Sequence, residues 1–313
     1  MALSHRKRTI QLKAETVYGQ DPVPVAADAL LCRGLSIRPI EGQYQGRDLV
    51  DGSLGTKPEE LTNIHAGVQF QIEAGGGGAA GTAPIWGKAM LGCGMAEVLT
   101  AATSAEYSLI SDAYGSVGIV THVGGANGHR QTILGSRGTV GFTANANELP
   151  YFSYNFLGRF AAPVKEAPPA VDYSAHVKPP RVEPANVTAF TIDGTEFKFS
   201  QFSIEGGHQT QVNRYANCEE VSMGDRAYTG RLVGAMPAID VKDLIGAVNA
   251  GTLWPMVFTV GTVAGNTISL SAPKVQIKIE GDAYQDAQGD LDITMTLNFT
   301  PDAGDDELLW TVT

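Results

Sequence analysis

Strict alternation of apolar and polar side chains is the feature that most constrains this chain. Five apolar residues alternate with polar ones without a break over 290–299, and shorter runs of the same kind occupy 68–73 and 274–280. A period of two places one face of each strand on a core and the other face in water. The sequence therefore predicts a mainly β protein.

The same order of elements occurs in both halves. In the first half, a strand, a long polar loop and a return strand occupy 35–44, 45–65 and 68–72. In the second half, the corresponding segments are 197–211, 212–225 and 226–236. Closing strands follow at 151–160 and 290–299. We predict two tandem modules of the β-sandwich or barrel-forming kind, each with one short flanking α-helix.

A proline-rich stretch separates the halves. Residues 161–184 contain six prolines, which exclude a regular helix and disfavour a central strand. We therefore predict a first module over 1–162 with an extended N-terminal arm, a linker over 163–184, and a second module over 185–313.

Each half has one helix signal. The first predicted helix starts at Pro84 and is capped by Gly94 at its C-terminus. The second has Asp240 as its predicted N-cap and Gly251 as its end.

Two local signals mark turns in the second half. Asp193-Gly194 lies between two short apolar runs and predicts a tight β-hairpin. The aromatic residues before and after Ser200 are out of phase, which predicts a β-bulge there.

The charge is acidic and unevenly distributed. The net charge is −11, and 280–307 contains nine acids without a single Lys or Arg. A surface of this kind repels nucleic acid, because affinity for phosphate backbones comes from basic side chains.

Targeting and redox signals are weak. No apolar run approaches the ~20 residues that span a bilayer, so we predict no membrane insertion. The basic N-terminus has no apolar run behind it and is not a secretory signal. Three widely spaced cysteines indicate reduced, mostly buried thiols and synthesis in a cytosol.

The residue patterns of known chemistry are not met. Lys88 is followed by Ala89, where a nucleotide-binding loop needs a hydroxyl for magnesium. The six histidines form neither an i, i+4 pair on a helix nor a zinc spacing with cysteine. We predict that the protein is not an enzyme and has no catalytic residue, cofactor or metal site.

Several N-terminal motifs follow one another in a familiar order. They are residues 6–22 (RKRTIQLKAETVYGQDP), a polar loop opening at Arg47, the run 76–84 (GGGAAGTAP), and a helix closing on 92–94 (GCG). Together they resemble the major tail tube proteins of long-tailed bacteriophages with non-contractile tails.

The resemblance implies a β-sandwich with a flanking helix that closes into rings, which stack into the tail tube through which DNA is ejected. Two modules in one chain imply a homotrimeric ring with pseudo-sixfold symmetry. The implied partners are further copies of the chain and the tail terminator, tape measure and tail-tip proteins, while DNA passes through without specific binding. The implied location is the virion tail, after synthesis in the host bacterial cytoplasm.

The resemblance also assigns site residues. The two polar loops are the expected ring-stacking elements, with Arg47, Asp48, Asp51, Lys57, Glu59 and Glu60 in the first and Asn213, Arg214, Glu219, Glu220, Asp225 and Arg226 in the second. The expected lumen-facing residues are Gln69, Gln71, Asp290, Asp292, Thr294 and Asn298. A lumen rich in carboxylates gives passing DNA no gain from counterion release.

Two other functions stay open on the sequence. One is a tail terminator or another component of a tube or ring. The other is an adhesin-like β-sandwich that binds a ligand, which exposed aromatic side chains on one face would indicate.

Overall fold

The computed structural model describes residues 3–52, 54–287 and 289–313. Alternating sequence in the first half forms nine strands: β1 (Ser4–Ala14), β2 (Arg33–Gly46), β3 (Glu59–Glu73), β4 (Met95–Thr100), β5 (Ser104–Leu109), β6 (Val117–Gly124), β7 (His129–Asn145), β8 (Tyr151–Arg159) and β9 (Val164–Lys165). One α-helix, α1 (Gly87–Met90), continues into a single 3₁₀ turn, Leu91–Cys93. Two further 3₁₀ turns are Ala26–Asp28 and Gly125–Asn127.

The second half forms nine more strands and one α-helix. The strands are β10 (Val187–Ile192), β11 (Thr195–Glu196), β12 (Phe199–Arg214), β13 (Glu219–Ala235), β14 (Leu253–Val260), β15 (Ile268–Lys278), β16 (Tyr284–Ala287), β17 (Asp290–Thr300) and β18 (Leu309–Val312). The helix α2 is Leu244–Ala250. Among the described residues, no helix has the length and apolar character needed to cross a membrane.

One antiparallel sheet runs through both halves. Its strands lie in the order β2-β3-β8-β7-β12-β13-β17-β15-β14-β10-β11. The C-terminal end of β7 pairs with β12, which joins the first half of the chain to the second without a break in hydrogen bonding.

The strand pairings of the first half recur in the second. The β1–β6 pair of the first half corresponds to the β10–β14 pair of the second. The order of neighbouring strands is β2–β3–β8–β7 in the first half, and the corresponding order in the second is β12–β13–β17–β15. The N-terminal half of β7 pairs with β6 and β9, as the N-terminal half of β15 pairs with β14 and β18. β7 and β15 therefore each belong to two groups of strands that lie on opposite sides of the core.

The core is a single cluster that extends across both halves. Phe142 lies at its centre, with its ring centroid 4.7 Å from that of Trp310, 5.1 Å from that of Phe152 and 6.2 Å from that of Phe202. These four aromatic side chains come from β7, β8, β12 and β18, so the packing joins the two halves as the sheet does. Truncating such a buried Phe costs ~3–5 kcal/mol.

Several sequence predictions are confirmed. Val68, Phe70 and Ile72 are fully buried, as the alternation requires. Gly94 and Gly251 end their helices in the left-handed conformation that favours glycine. Asp193 and Gly194 turn the β10–β11 hairpin, and a register shift next to Ser200 is the predicted bulge.

Other predictions are wrong in identifiable ways. The side chain that caps α2 is Asp243, which accepts a hydrogen bond from Gly246 N, so the helix starts later than Asp240. Leu291 is 51% exposed although it keeps the alternation, because it lies where β17 begins, beyond the core. Cys218 is exposed at a hairpin tip, so not all thiols are buried.

The proline-rich segment 163–184 is extended and follows the protein surface. Backbone hydrogen bonds hold it at Asp172, whose N–H donates to Ala26 O over 3.0 Å, and at Val182, which exchanges bonds with 147–148. Val182 is buried, and His176 Nε2 accepts from Leu31 N at 2.9 Å. The segment is therefore fixed along the first half of the chain.

Candidate assembly surfaces

The first predicted stacking loop is the outer part of the β2–β3 hairpin. The two strands pair as far as Gly46 and Glu59, and the described residues between them, 47–52 and 54–58, form an irregular tip. Arg47 Nη1 lies 3.6 Å from Glu60 Oε1, and the Lys57 ammonium donates to Asp51. Most of this segment is exposed, and its ion pairs connect parts of the same hairpin.

The first hairpin also carries exposed apolar side chains that sequence reasoning missed. Tyr44 is 71% exposed, and Val50 and Leu54 are fully exposed, with Ile40 and Leu49 about half exposed. Apolar residues collected on a projecting element of one subunit are characteristic of a surface that a partner covers. The adjacent pair Leu49-Val50 inside a polar loop was the available signal.

The second predicted stacking loop is mostly strand. β12 extends to Arg214 and β13 starts at Glu219, which leaves 215–218 as the tip. Glu219, Glu220, Asp225 and Arg226 therefore lie in β13, and Asn213 and Arg214 lie in β12, where a loop over 212–225 had been predicted. Val212 and Val221 are buried there among polar residues, and a register shift between His208 and Thr210 interrupts the pairing, so the alternation is weak although the segment is strand.

The second hairpin is anchored close to its tip. Val221 N donates to the Tyr18 hydroxyl at 2.6 Å, and Arg137 Nη1 donates to Val221 O at 2.9 Å. At the tip itself, Arg214 Nη2 lies 2.9 Å from Glu219 Oε2. Strands from the first half thus hold a hairpin of the second.

Arg226 is engaged within the subunit and is not a free stacking residue. Its guanidinium donates to both carboxylate oxygens of Glu307, at 2.9 and 3.0 Å, and to Asp305 at 2.5 Å. It also donates to Ile110 O at 3.0 Å. Hydrogen bonds from Ser111 and Arg226 hold the pKa of Asp305 below its usual value, because they stabilise the carboxylate. The cluster ties β13, the chain end and the first half together.

The second hairpin contains a buried histidine, His208 of β12. His208 is 2% exposed, its Nδ1 is 2.9 Å from Gly224 O, and its ring packs against Tyr114. Burial lowers the pKa of His208, because the charged form loses solvation. The same cause lowers the pKa of His122, a residue of β6 that is 2% exposed, although Glu166 lies 3.6 Å away.

The predicted lumen residues lie along one face of the main sheet. Gln69 stands opposite Asn155, and Gln71 opposite Ser153, with their apolar neighbours turned to the core. On β17, Asp292, Thr294 and Asn298 alternate with buried Ile293, Met295 and Leu297. Because the two strands belong to one continuous sheet, the structure brings these residues onto a common polar face. Asp290 lies at the exposed start of β17, next to Ala287 of β16.

The polar face is mostly hydroxyl and amide in character and carries both signs of charge. Its bases include Arg33, Arg38, Arg231 and Lys278, and its acids include Glu205 and Asp292. Arg38 donates to Asn155 Oδ1 at 2.7 Å and Arg33 to Gln71 Oε1 at 3.1 Å. Most acids of 280–307 lie elsewhere, in the β16–β17 hairpin and in the segment after β17.

The geometry offers little for catalysis. In the part of the chain that the structure describes, no group of three His, Cys, Asp or Glu residues could hold a metal ion. The side chains with the most elaborate hydrogen bonding, around Arg226, are committed to internal ion pairs. What the molecule presents is a set of exposed hairpins, sheet edges and one broad polar face.

Sequence comparison agrees with this arrangement. No curated protein matches the chain. A family profile described as phage tail tube protein matches residues 6–303, which is nearly the whole chain. The chain belongs to the phage tail tube protein family and is a structural component of a virion tail.

Proposed function

We propose that this protein assembles with itself into rings of three chains, and that the rings stack into the tail tube through which DNA leaves the capsid. The observation that supports the proposal is the recurrence of one strand-pairing pattern in both halves, joined through β7 and β12. Each half then serves as one of six similar units around the ring.

Within this proposal the polar face lines the bore. Hydroxyl and amide side chains such as Thr139, Asn155 and Thr229 hydrogen-bond water and offer DNA phosphates little net attraction. The bases of this face are already engaged, since Arg33 and Arg38 bond to neighbouring amides. DNA passes such a surface without specific binding.

The β2–β3 hairpin is the proposed main contact between rings, and the β12–β13 hairpin is a second, smaller one. Mixed charge on the first hairpin selects the register of stacking, and its exposed apolar side chains supply contact area. The tail terminator, tape measure and tail-tip proteins are proposed partners at the ends and interior of the tube. Synthesis takes place in the bacterial cytoplasm under the same proposal.

Negative-stain electron microscopy over a concentration series tests the proposal. Hollow tubes or stacked rings with three- or sixfold end views are the expected result. Monodisperse single particles at every concentration, including in the presence of a preformed tail tip, would contradict self-assembly. The adhesin-like alternative is disfavoured because most Phe and Trp side chains lie in the core, and the exposed aromatics Tyr44, Tyr215 and Tyr284 lie on three different hairpins.

A further inference from the structure

The short strand β16 occupies an exposed edge whose counterpart in the first half is covered. Tyr284 of β16 stands opposite Ile293 of β17, and Phe142 of β7 stands opposite Phe152 of β8. We align Ile293 with Phe152, because both are fully buried and each pairs on its other side with the return strand, at Gly234 and Ile72. Residues 284–287 of β16 therefore correspond to 142–145 of β7.

In the first half this segment forms one of the strand pairings between the two halves, beside the pairing of β5 with β18. Residues 142–145 pair with 201–204 of β12, in the register Phe142–Ile204 to Asn145–Gln201. Among the described pairings, β16 has a strand on one side, β17, and none on the other. Tyr284 is 49% exposed, and Gln285 and Asp286 are exposed as well.

The strand β2 is the first-half counterpart of β12, and it forms the opposite edge. In the β2–β3 pair, Ser36 stands opposite Gln69 and Ile37 opposite Val68. In the β12–β13 pair, the corresponding residues are Ser203 opposite Arg231 and Ile204 opposite Gly230. Among the described residues, β2 pairs with β3 alone. The backbone carbonyl of Leu35 accepts a hydrogen bond from a side chain, Arg8 Nη1, at 3.0 Å. In a strand with neighbours on both sides, such a carbonyl would accept from the backbone N–H of the next strand.

The two edges carry opposite charge. Residues 280–292, which surround β16, contain five acids and no Lys or Arg: Glu280, Asp282, Asp286, Asp290 and Asp292. The β2 edge carries Arg33 and Arg38, of which Arg38 is paired with Glu41, and Arg6 and Arg8 of β1 lie beside it at Gly34 and Leu35. Complementary charge of this kind accelerates encounter and rejects wrong pairings.

We propose that β16 of one copy pairs antiparallel with β2 of a second copy and thereby repeats the β7–β12 joint between subunits. The register that follows places Tyr284 opposite Ile37, Gln285 opposite Ser36, Asp286 opposite Leu35 and Ala287 opposite Gly34. Each chain has one edge of each kind, so copies join head to tail and the joint can close a ring. The inference rests on the proposed function and adds the residues and charges that make the contact.

Disulfide trapping tests the register. In a chain with Cys32→Ser and Cys218→Ser, the pair Ser36→Cys and Gln285→Cys places two Cβ atoms about 5 Å apart across the joint. The control pair, Ile40→Cys and Gln285→Cys, moves one thiol by about 13 Å along the strand, beyond the reach of a disulfide. Oxidation of assembled protein should give covalent oligomers on a non-reducing gel with the first pair only.

Electron microscopy of the same samples separates the two proposals. Tubes without cross-links at 36–285 overturn the joint and leave the proposed function standing. Absence of both tubes and cross-links, in the cysteine background as well as in the unaltered chain, overturns the joint together with the function. Equal cross-linking by both pairs also overturns the register.

Charge reversal tests the electrostatic part of the joint. Asp286→Lys with Asp292→Lys, or Arg8→Glu with Arg33→Glu, should each weaken self-association at least about tenfold, because like charges then face each other. The quadruple variant should recover most of the loss, since it restores opposite charge in the reversed sense. Failure of the quadruple variant to recover, with thermal melting of the single subunit unchanged, overturns the assigned contact.

Discussion

The two long hairpins have the same place in the strand order but differ in how they are held. The β2–β3 hairpin ends in an irregular tip, described over 47–52 and 54–58, whose ion pairs are internal to the hairpin. The β12–β13 hairpin ends in a short tip over 215–218 and is fixed by Tyr18, Arg137 and the Arg226 cluster. One hairpin is thus an exposed arm that needs a partner, while the other is already docked on its own subunit.

The largest expected effect comes from removing the arm. Gly46 and Glu59 are paired, so Asn-Gly can replace 47–58 as a two-residue turn. We expect this variant to fold and to lose tube formation in electron micrographs. The same replacement of 215–218, between paired Arg214 and Glu219, is the matched control and should still give tubes. Equal loss of tubes in both variants would contradict the distinction between arm and docked hairpin.

The next effect concerns the anchor of the docked hairpin. Arg226→Ala leaves Asp305 and buried Glu307 without their cation and should lower the free energy of unfolding by about 3 kcal/mol. Lys57→Ala, which removes an exposed ion pair of the arm, should cost less than about 1 kcal/mol. Urea denaturation of the unassembled subunit measures both. Similar costs for the two variants would show that the Arg226 cluster does not anchor the hairpin.

A smaller effect is a pH dependence specific to the docked hairpin. The pKa of His208 is lowered in the folded state, so the unfolded chain takes up the proton first as pH falls. The stability that neutral His208 maintains is complete above its unfolded pKa of about 6.5 and is lost as pH falls toward the folded pKa. His208→Gln should flatten the pH dependence of unfolding between about pH 7 and pH 5, relative to the unaltered chain. An unchanged slope in that variant would assign the dependence to other groups, His122 first.

The smallest expected effect is electrostatic, and it distinguishes the tips of the two hairpins by their influence on tube growth. Arg47→Ala and Arg214→Ala should each change subunit stability by less than about 1 kcal/mol, because both arginine side chains are more than a third exposed to solvent. Arg47→Ala should nevertheless slow tube growth at low salt more than Arg214→Ala does. Light scattering at ~0.05 M and ~0.5 M salt measures the growth rate, and the difference should disappear at high salt as charges are screened. A difference that persists at high salt would point to packing instead.

Local signals in the sequence predicted local structure well. The alternation around Phe70 and Met295 identified core strands, because burial of one face leaves a period of two wherever a strand is covered. Gly94 and Gly251 identified helix ends, since the left-handed cap restricts the residue type. The same period of two assigned the polar residues of these strands to one face: Gln69, Gln71, Asp292, Thr294 and Asn298.

The remaining features depend on partners that are distant in sequence. The 212–225 segment was predicted as loop because its residues are polar on both faces, yet each strand there is paired with the other. Nothing near Arg226 in the sequence indicates that Glu307 and Asp305 will reach it, so its internal ion pairs could not be predicted. The pairing of β7 with β12 was equally invisible, because the contact depends on where two whole halves meet.

The β7–β12 joint has a consequence for how the two halves could diverge. A joint made within one chain forms during folding at very high effective concentration, so it needs no long-range recognition and can be built from Phe142, Ala144 and Phe202. Two separate chains must meet by diffusion before they can form a joint, and opposite charges on the two edges favour that encounter. In the proposed ring of three chains, two units in one chain would therefore permit two kinds of joint, three permanent and three reversible, which identical single units cannot encode.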